Sequence, residues 1–199
     1  MNKVVKLVND WAKFEEVHPD GEMVDFCRYI LIKDREGNNG YTTQDKLDPQ
    51  DLYSKFSKLV GRIAKIHMNL SLAILKEYNI NSFEDFPFLH SIAMLGNPRK
   101  TDVITANYIE LSSGLLIIDR LKKNGWIIEN NNETDKRSKR ISLSTKGKKV
   151  FKEVQVRMSE FNQQCFGAIS DDDISLCMRL MSPIEKTLST SWTTRKTEK

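Results

Sequence analysis

The sequence predicts a mainly α-helical protein with one small β-element, in which a helix-turn-helix is followed by a hairpin wing and long helices lie on both sides. Three observations predict it. Apolar residues recur at spacings of three and four over most of the chain, which is the period of a helix with one buried face. Residues 101–125 break that pattern into two short helices separated by a tight turn. Finally, "WIIEN" and "RISLS" flank a run of asparagines and cations, the composition of two strands joined by an extended loop.

Taken in order, "VVKLVNDWAKFEEV" and "DGEMVDFCRYILIKDRE" predict two helices, with His18, Pro19 and Asp20 as the break between them. The polar stretch "REGNNGYTTQDKLDPQ" predicts a loop. A long helix follows over about 51–78, because Leu52, Phe56, Leu59, Ile63, Ile66, Leu70 and Ile74 keep the helical spacing. Ser82 is placed to cap the next helix, and Pro87 must fall in its first turn or displace its start. Thr101 reads as the cap of a two-turn helix ending near Asn107. Ser112 reads as the cap of a second helix that stops at Gly125, a residue free to turn left-handed. After the hairpin, Thr145 is expected to cap a helix striped with Val150, Val154, Met158 and Phe161. "SDDDISLCMRLM" opens the last helix with Ser170 facing Asp173 in a capping box. Asp171, Asp172 and Asp173 are read as first-turn carboxylates that satisfy the helix dipole, rather than as a metal site. The organisation expected is an amino-terminal helical extension (1–50), a long linking helix (51–80), the wing-bearing domain (81–147) and carboxy-terminal helices (148–199).

Composition narrows the function classes. A chain of 199 residues with 39% hydrophobic content holds one substantial core without a metal or disulfide staple. Cys27, Cys165 and Cys177 are odd in number and widely spaced, so they suggest neither a disulfide framework nor zinc ligation, and a cytoplasmic setting is expected. No apolar run approaches membrane-spanning length, and the amino terminus does not read as a signal peptide. No P-loop, dinucleotide fingerprint, nucleophile elbow or paired-histidine motif is present, so an enzyme and a cofactor are not expected. The net charge of +4 is unevenly distributed: between Asp119 and Lys152 eleven Lys and Arg stand against four Asp and Glu, and the remainder of the chain is net acidic. Such local positive charge is the footprint of a phosphate-binding surface, a solvated face being the alternative.

Projected at the helical period, Leu111, Gly114, Leu115, Ile118 and Leu121 share one side of the second short helix, which is assigned to the core. Ser112, Ser113, Leu116, Arg120 and Lys123 share the other, with Ile117 at its margin. Two hydroxyls near a helix amino terminus suit phosphates or base edges, and Leu116 suits a thymine methyl. A partner chain covering Leu116 and Ile117 is the competing use of that face.

The motifs that decide between these uses are "DRLKKNG" at the end of this helix, and Asp135, Lys136 and Arg137 followed by Leu143, Ser144 and Gly147. In this order and spacing they resemble the multiple antibiotic resistance regulator (MarR) family of winged-helix transcription factors, a similarity that runs from about Leu52 to the end and is strongest from Thr101 to Val150. The resemblance implies a homodimer, paired through helices from both ends, binding a roughly palindromic double-stranded DNA. It implies that Asp135 braces the wing through an ion pair and that Arg137 reaches the minor groove, where narrow tracts concentrate negative potential. Lys136, Lys139 and Arg140 would then meet phosphates. The family's use of phenolic effectors directs attention to Tyr53, Phe56, His67 and His90 as candidate lining of a ligand cleft. Relatives that sense peroxide direct attention to Cys27, although its place between apolar neighbours in "MVDFCRYIL" predicts a buried, inert thiol, and Cys165 and Cys177 are likewise expected to be structural. Two departures stand out: Leu116 replaces the polar or cationic residue many members carry, and Gly114 replaces a β-branched one. The 50 amino-terminal residues also exceed the usual family architecture. A winged-helix protein working through protein contacts, or a cysteine-based redox regulator, are the alternative functions.

Overall fold

The structure, a computed structural model, describes residues 2–36, 51–130 and 139–197. These residues divide into two units, Met1–Val60 and Gly61–Lys199.

The first unit contains a helical hairpin. Helix α1 (Lys3–Val17) begins where the Asn2 side chain accepts from the Val4 amide at 2.9 Å, and α2 (Met23–Glu36) follows the short link through Pro19 and Gly21. Their facing sides hold an aromatic cluster: Trp11 and Phe26 meet edge-on with centroids 4.8 Å apart, and Phe14 lies 5.5 Å from Phe26 and 5.4 Å from Tyr29. A side chain at Gly21 would strike the Phe14 ring at 2.7 Å, so the link passes close over the ring only because glycine has no Cβ. Helix α3 (Leu52–Lys76) starts on Asp51, whose carboxylate accepts from the Ser54 amide at 2.8 Å. That hydrogen bond lowers the Asp51 pKa. The heptad-spaced residues Leu52, Phe56, Leu59, Ile63, Ile66 and Leu70 are exposed along α3.

The second unit is built around α4 (Asp85–Leu95), whose Phe88, Leu89 and Ile92 are fully buried. Pro87 sits in its first turn, where its missing amide costs no helical hydrogen bond. Helices α5 (Lys100–Ala106) and α6 (Leu111–Lys123) form the expected helix-turn-helix. Asn107 closes the turn by donating from Nδ2 to Val103 O at 2.8 Å and to Ser91 Oγ at 2.9 Å. A Cβ at Gly114 would meet Ile104 at 2.5 Å, so this glycine lets the two helices approach more closely than a β-branched residue would allow. Gly125, at φ +73°, ends α6 as expected.

Strands β1 (Ile127–Asn130) and β2 (Arg140–Leu143) pair antiparallel with Ile127 opposite Leu143 and Asn130 opposite Arg140. Arg99 adds an isolated bridge to Arg140, and the Ile141 amide donates to Pro98 O at 2.9 Å, so the start of α5 extends the wing's small sheet. Helix α7 (Thr145–Phe166) contributes Phe151, Val154, Met158 and Phe161 to the core, and α8 (Asp171–Thr197) opens with the Ser170–Asp173 capping box. The cap positions shift from expectation by one or two residues. Asp102 reaches back to the Arg99 amide at 2.8 Å in place of a Thr101 cap, Glu110 rather than Ser112 precedes α6, and Ser144 rather than Thr145 caps α7 through the Gly147 amide.

Candidate nucleic-acid interface

Because α6 starts at Leu111, Ser112 and Ser113 lie inside its first turn, both exposed, beside backbone amides that no preceding helical turn can satisfy. One turn on, Leu116 is 67% exposed, and Lys123 is exposed at the carboxy-terminal end. Gly114, Ile118 and Leu121 face inward as expected, whereas Leu111 and Leu115, assigned to the core from periodicity, are exposed.

Two residues expected on the outward face do not serve there. Ile117 is 6% exposed and belongs to the core, because the α6 face in contact with its neighbours is rotated toward it and away from Leu115. Arg120 turns its guanidinium onto Asp85 in the first turn of α4: Nε donates to the two carboxylate oxygens at 2.9 and 3.1 Å, and Nη2 makes a further contact. Asp85 is 1% exposed, so its charge is tolerable only with this partner. The pair ties the outer turns of α6 to the centre of the domain.

At the base of the wing, Glu129 collects cations from three elements. Lys100 at the start of α5 approaches Oε1 at 2.7 Å; Lys122 at the end of α6 and Lys139 beside β2 approach Oε2 at 3.0 and 3.7 Å. Hydrogen bonds from Lys100 and then Lys122, opposed by partial burial, lower the Glu129 carboxyl from 4.5 to about 2. Strand alternation explains the position. Glu129 lies on the same side of β1 as buried Ile127 and opposite Ile141, at the edge where the apolar core ends. Sequence reading singled out none of Glu129, Lys100, Lys122 and Asp85 as site residues; the only available signal was a lone acid at an inward strand position inside a basic segment. Arg140, expected at a phosphate, donates to Asn97 O at 2.8 Å, and Lys139 is exposed. Asp135, Lys136 and Arg137 lie outside the described residues.

No family model matches the chain. The uncharacterized HTH-type transcriptional regulator YsmB of Bacillus subtilis is 25% identical over 128 residues, which make up 64% of this chain and 87% of that protein. A MarR protein of Peptoclostridium difficile has the same fold, with a TM-score of 0.68 at 17% identity over 74% of this chain and 96% of the other. The fold is the MarR-type winged helix. An organohalide-sensing transcriptional regulator in its 2,4-dichlorophenol-bound form is similar as well, with a TM-score of 0.65 at 19% identity over 76% of this chain and 88% of that one.

The four candidate effector residues divide between the two units. Tyr53 and Phe56 belong to the first unit and are exposed. His67 and His90 belong to the second. His67 shares a 3.0 Å hydrogen bond with Asn162 and lies against Phe161 and Phe166, with centroids 5.4 and 5.9 Å away, while His90 is exposed beside Phe151. A cavity of about 580 Å³ in the α1–α2 hairpin is lined by other residues, among them Phe14, His18, Arg28 and Tyr29. Cys27, expected to be buried, is exposed, as are Cys165 and Cys177; burial on α2 falls to Phe26 instead. Among the described residues no group of His, Cys, Asp and Glu is arranged to hold a metal ion, and no helix is long and apolar enough to cross a membrane.

Proposed function

We propose that this chain is a DNA-binding transcriptional regulator of the MarR type, acting as a homodimer on double-stranded DNA and released by a small aromatic or phenolic effector. The observation that carries it is the outer face of α6: Ser112, Ser113, Leu116 and Lys123 are presented together on the exposed side of this helix, beside a wing whose base gathers three lysines. A helix of this kind enters a major groove, with short side chains at base edges and cations at phosphates. Lys136, Arg137 and Arg140 would carry the wing's contacts, with Asp135 bracing them. YsmB, as a regulator with a helix-turn-helix, supports the same reading. The dichlorophenol-bound neighbour and the aromatic surroundings of His67 support the effector. Two such helices in a dimer would read half-sites about one helical turn apart.

The exposure of Leu116 favours a second use of the face, in contact with another protein. Salt dependence separates the two, because only phosphate neutralisation releases counterions. Duplexes selected from random sequence are titrated, with scrambled controls, at several salt concentrations. Arg137→Ala and Lys123→Ala each lower the salt slope by about one on both DNAs, whereas Ser113→Ala and Leu116→Ala lose about 1–3 kcal/mol on the selected site only. Binding that is absent, or indifferent to salt, gives the face to a protein partner. Repeating the titration with a chlorinated phenol tests the effector, which is withdrawn if affinity does not fall.

A further inference from the structure

Three ammonium groups at the wing base converge on one carboxylate. Both Glu129 oxygens are engaged, Oε1 by Lys100 and Oε2 by Lys122 and Lys139. The carboxylate side chain is only 14% exposed, against 49% for Lys122 and 60% for Lys139. The lysines come from α5, α6 and the approach to β2, so the carboxylate joins both helices of the helix-turn-helix to the hairpin. Free lysines on a DNA-facing surface would bind any phosphate, and that binding carries no sequence information. Lysines held against Glu129 contribute to the field but not to such contacts.

We propose that Glu129 is a positioning residue for DNA discrimination, holding Lys100, Lys122 and Lys139 off the phosphates and fastening the wing to α6 so that both engage the duplex in one fixed register. The proposal rests on the DNA-binding reading. It makes this acid a source of specificity: it lowers affinity for every sequence and lowers it least for the one whose groove accepts helix and wing together.

The test is a mutant cycle of wild type, Glu129→Gln, Lys122→Met and the double variant, titrated on selected and scrambled duplexes across a salt series. Removing the carboxylate frees cations, each able to add about 0.9 to the slope of log affinity against log salt. Glu129→Gln therefore steepens the slope on scrambled DNA by about one to two, raises affinity for it severalfold, and cuts the selected-to-scrambled ratio about tenfold. Lys122→Met leaves the slope unchanged in the wild type and lowers it by about one in the Glu129→Gln background. A Glu129→Gln protein with wild-type slope and ratio overturns the proposal, as does a Lys122→Met variant that lowers the slope of the wild type. Should Glu129→Gln fail to fold, shown by circular dichroism, Lys122→Met in the wild type decides alone. Absence of salt-dependent binding by the wild type itself overturns the DNA-binding reading and this proposal with it, an outcome distinct from normal binding with an unaltered mutant cycle.

Discussion

Arg120 lies on the side of α6 that periodicity assigns to a ligand, yet its charge is committed to Asp85, 35 residues earlier in the chain. A guanidinium held by both oxygens of a buried carboxylate is a geometric constraint as much as a charge, and lysine cannot reproduce its fork. Arg120→Ala leaves the Asp85 carboxylate buried without its cation. Because the Arg120 side chain is 40% exposed, the loss is set below the range for fully buried pairs, at about 2 kcal/mol. Denaturant unfolding measures it, and DNA titration supplies the second readout: affinity falls on both DNAs while the salt slope stays at the wild-type value. A variant of unchanged stability whose slope drops by about one would return Arg120 to the phosphates. Gly147 shows the opposite kind of constraint, that of a missing atom, since a Cβ there would lie 1.9 Å from Trp126 O where α7 begins against the strand.

At the scale of elements, the wing and α6 are coupled through Glu129, and the coupling depends on acid. Its folded pKa, about 2, is depressed below the ordinary 4.5 by Lys100 and Lys122, so the carboxylate is more readily ionised in the folded chain than in the unfolded one. The stabilisation is therefore fully present above about pH 4.5 and is lost as pH falls toward 2. The difference corresponds to about 3 kcal/mol. Urea unfolding of the wild type at about pH 5 and about pH 2.5 should show most of this loss, about 2 kcal/mol. Glu129→Gln, which has no proton to take up, should lose about 2 kcal/mol less over the same interval; parallel acid limbs in the two proteins would mean that Lys100 and Lys122 do not depress this carboxyl.

For the whole molecule, the question is what covers the apolar surface on its longest helices. Leu52, Phe56, Leu59, Ile63, Ile66 and Leu70 repeat at alternating spacings of four and three along α3, the seam of a helix that packs on another helix, and each is at least 41% exposed in the single chain. Helix α8 exposes Met178, Leu180, Ile184 and Leu188. A monomer rarely leaves this many large apolar side chains exposed on its helices. Light scattering after size exclusion should give twice the 23.0 kDa chain mass at micromolar concentration, and Ile63→Asp should shift the population toward monomer. A wild-type monomer would remove the palindromic-site model.

The amino-acid sequence by itself determined where helices and strands lie, because a helix stripe, a left-handed glycine and a strand pair around a polar loop are properties of neighbouring residues. The long α3, the helix-turn-helix, Gly125 and the hairpin were all legible in this way, and so were Gly114, Ile118 and Leu121 on the inner side of α6. Cap positions moved by a residue or two, since helix ends carry several free amides and more than one nearby oxygen can accept from them. The tertiary structure alone decided which face of α6 is buried, putting Ile117 inside and Leu115 outside, because that depends on which elements stand beside the helix. It alone joined Arg120 to Asp85 and gathered three lysines on Glu129. Charges separated by up to 35 positions find one another only when the chain has folded, and a buried carboxylate requires such a partner, whereas an exposed one does not.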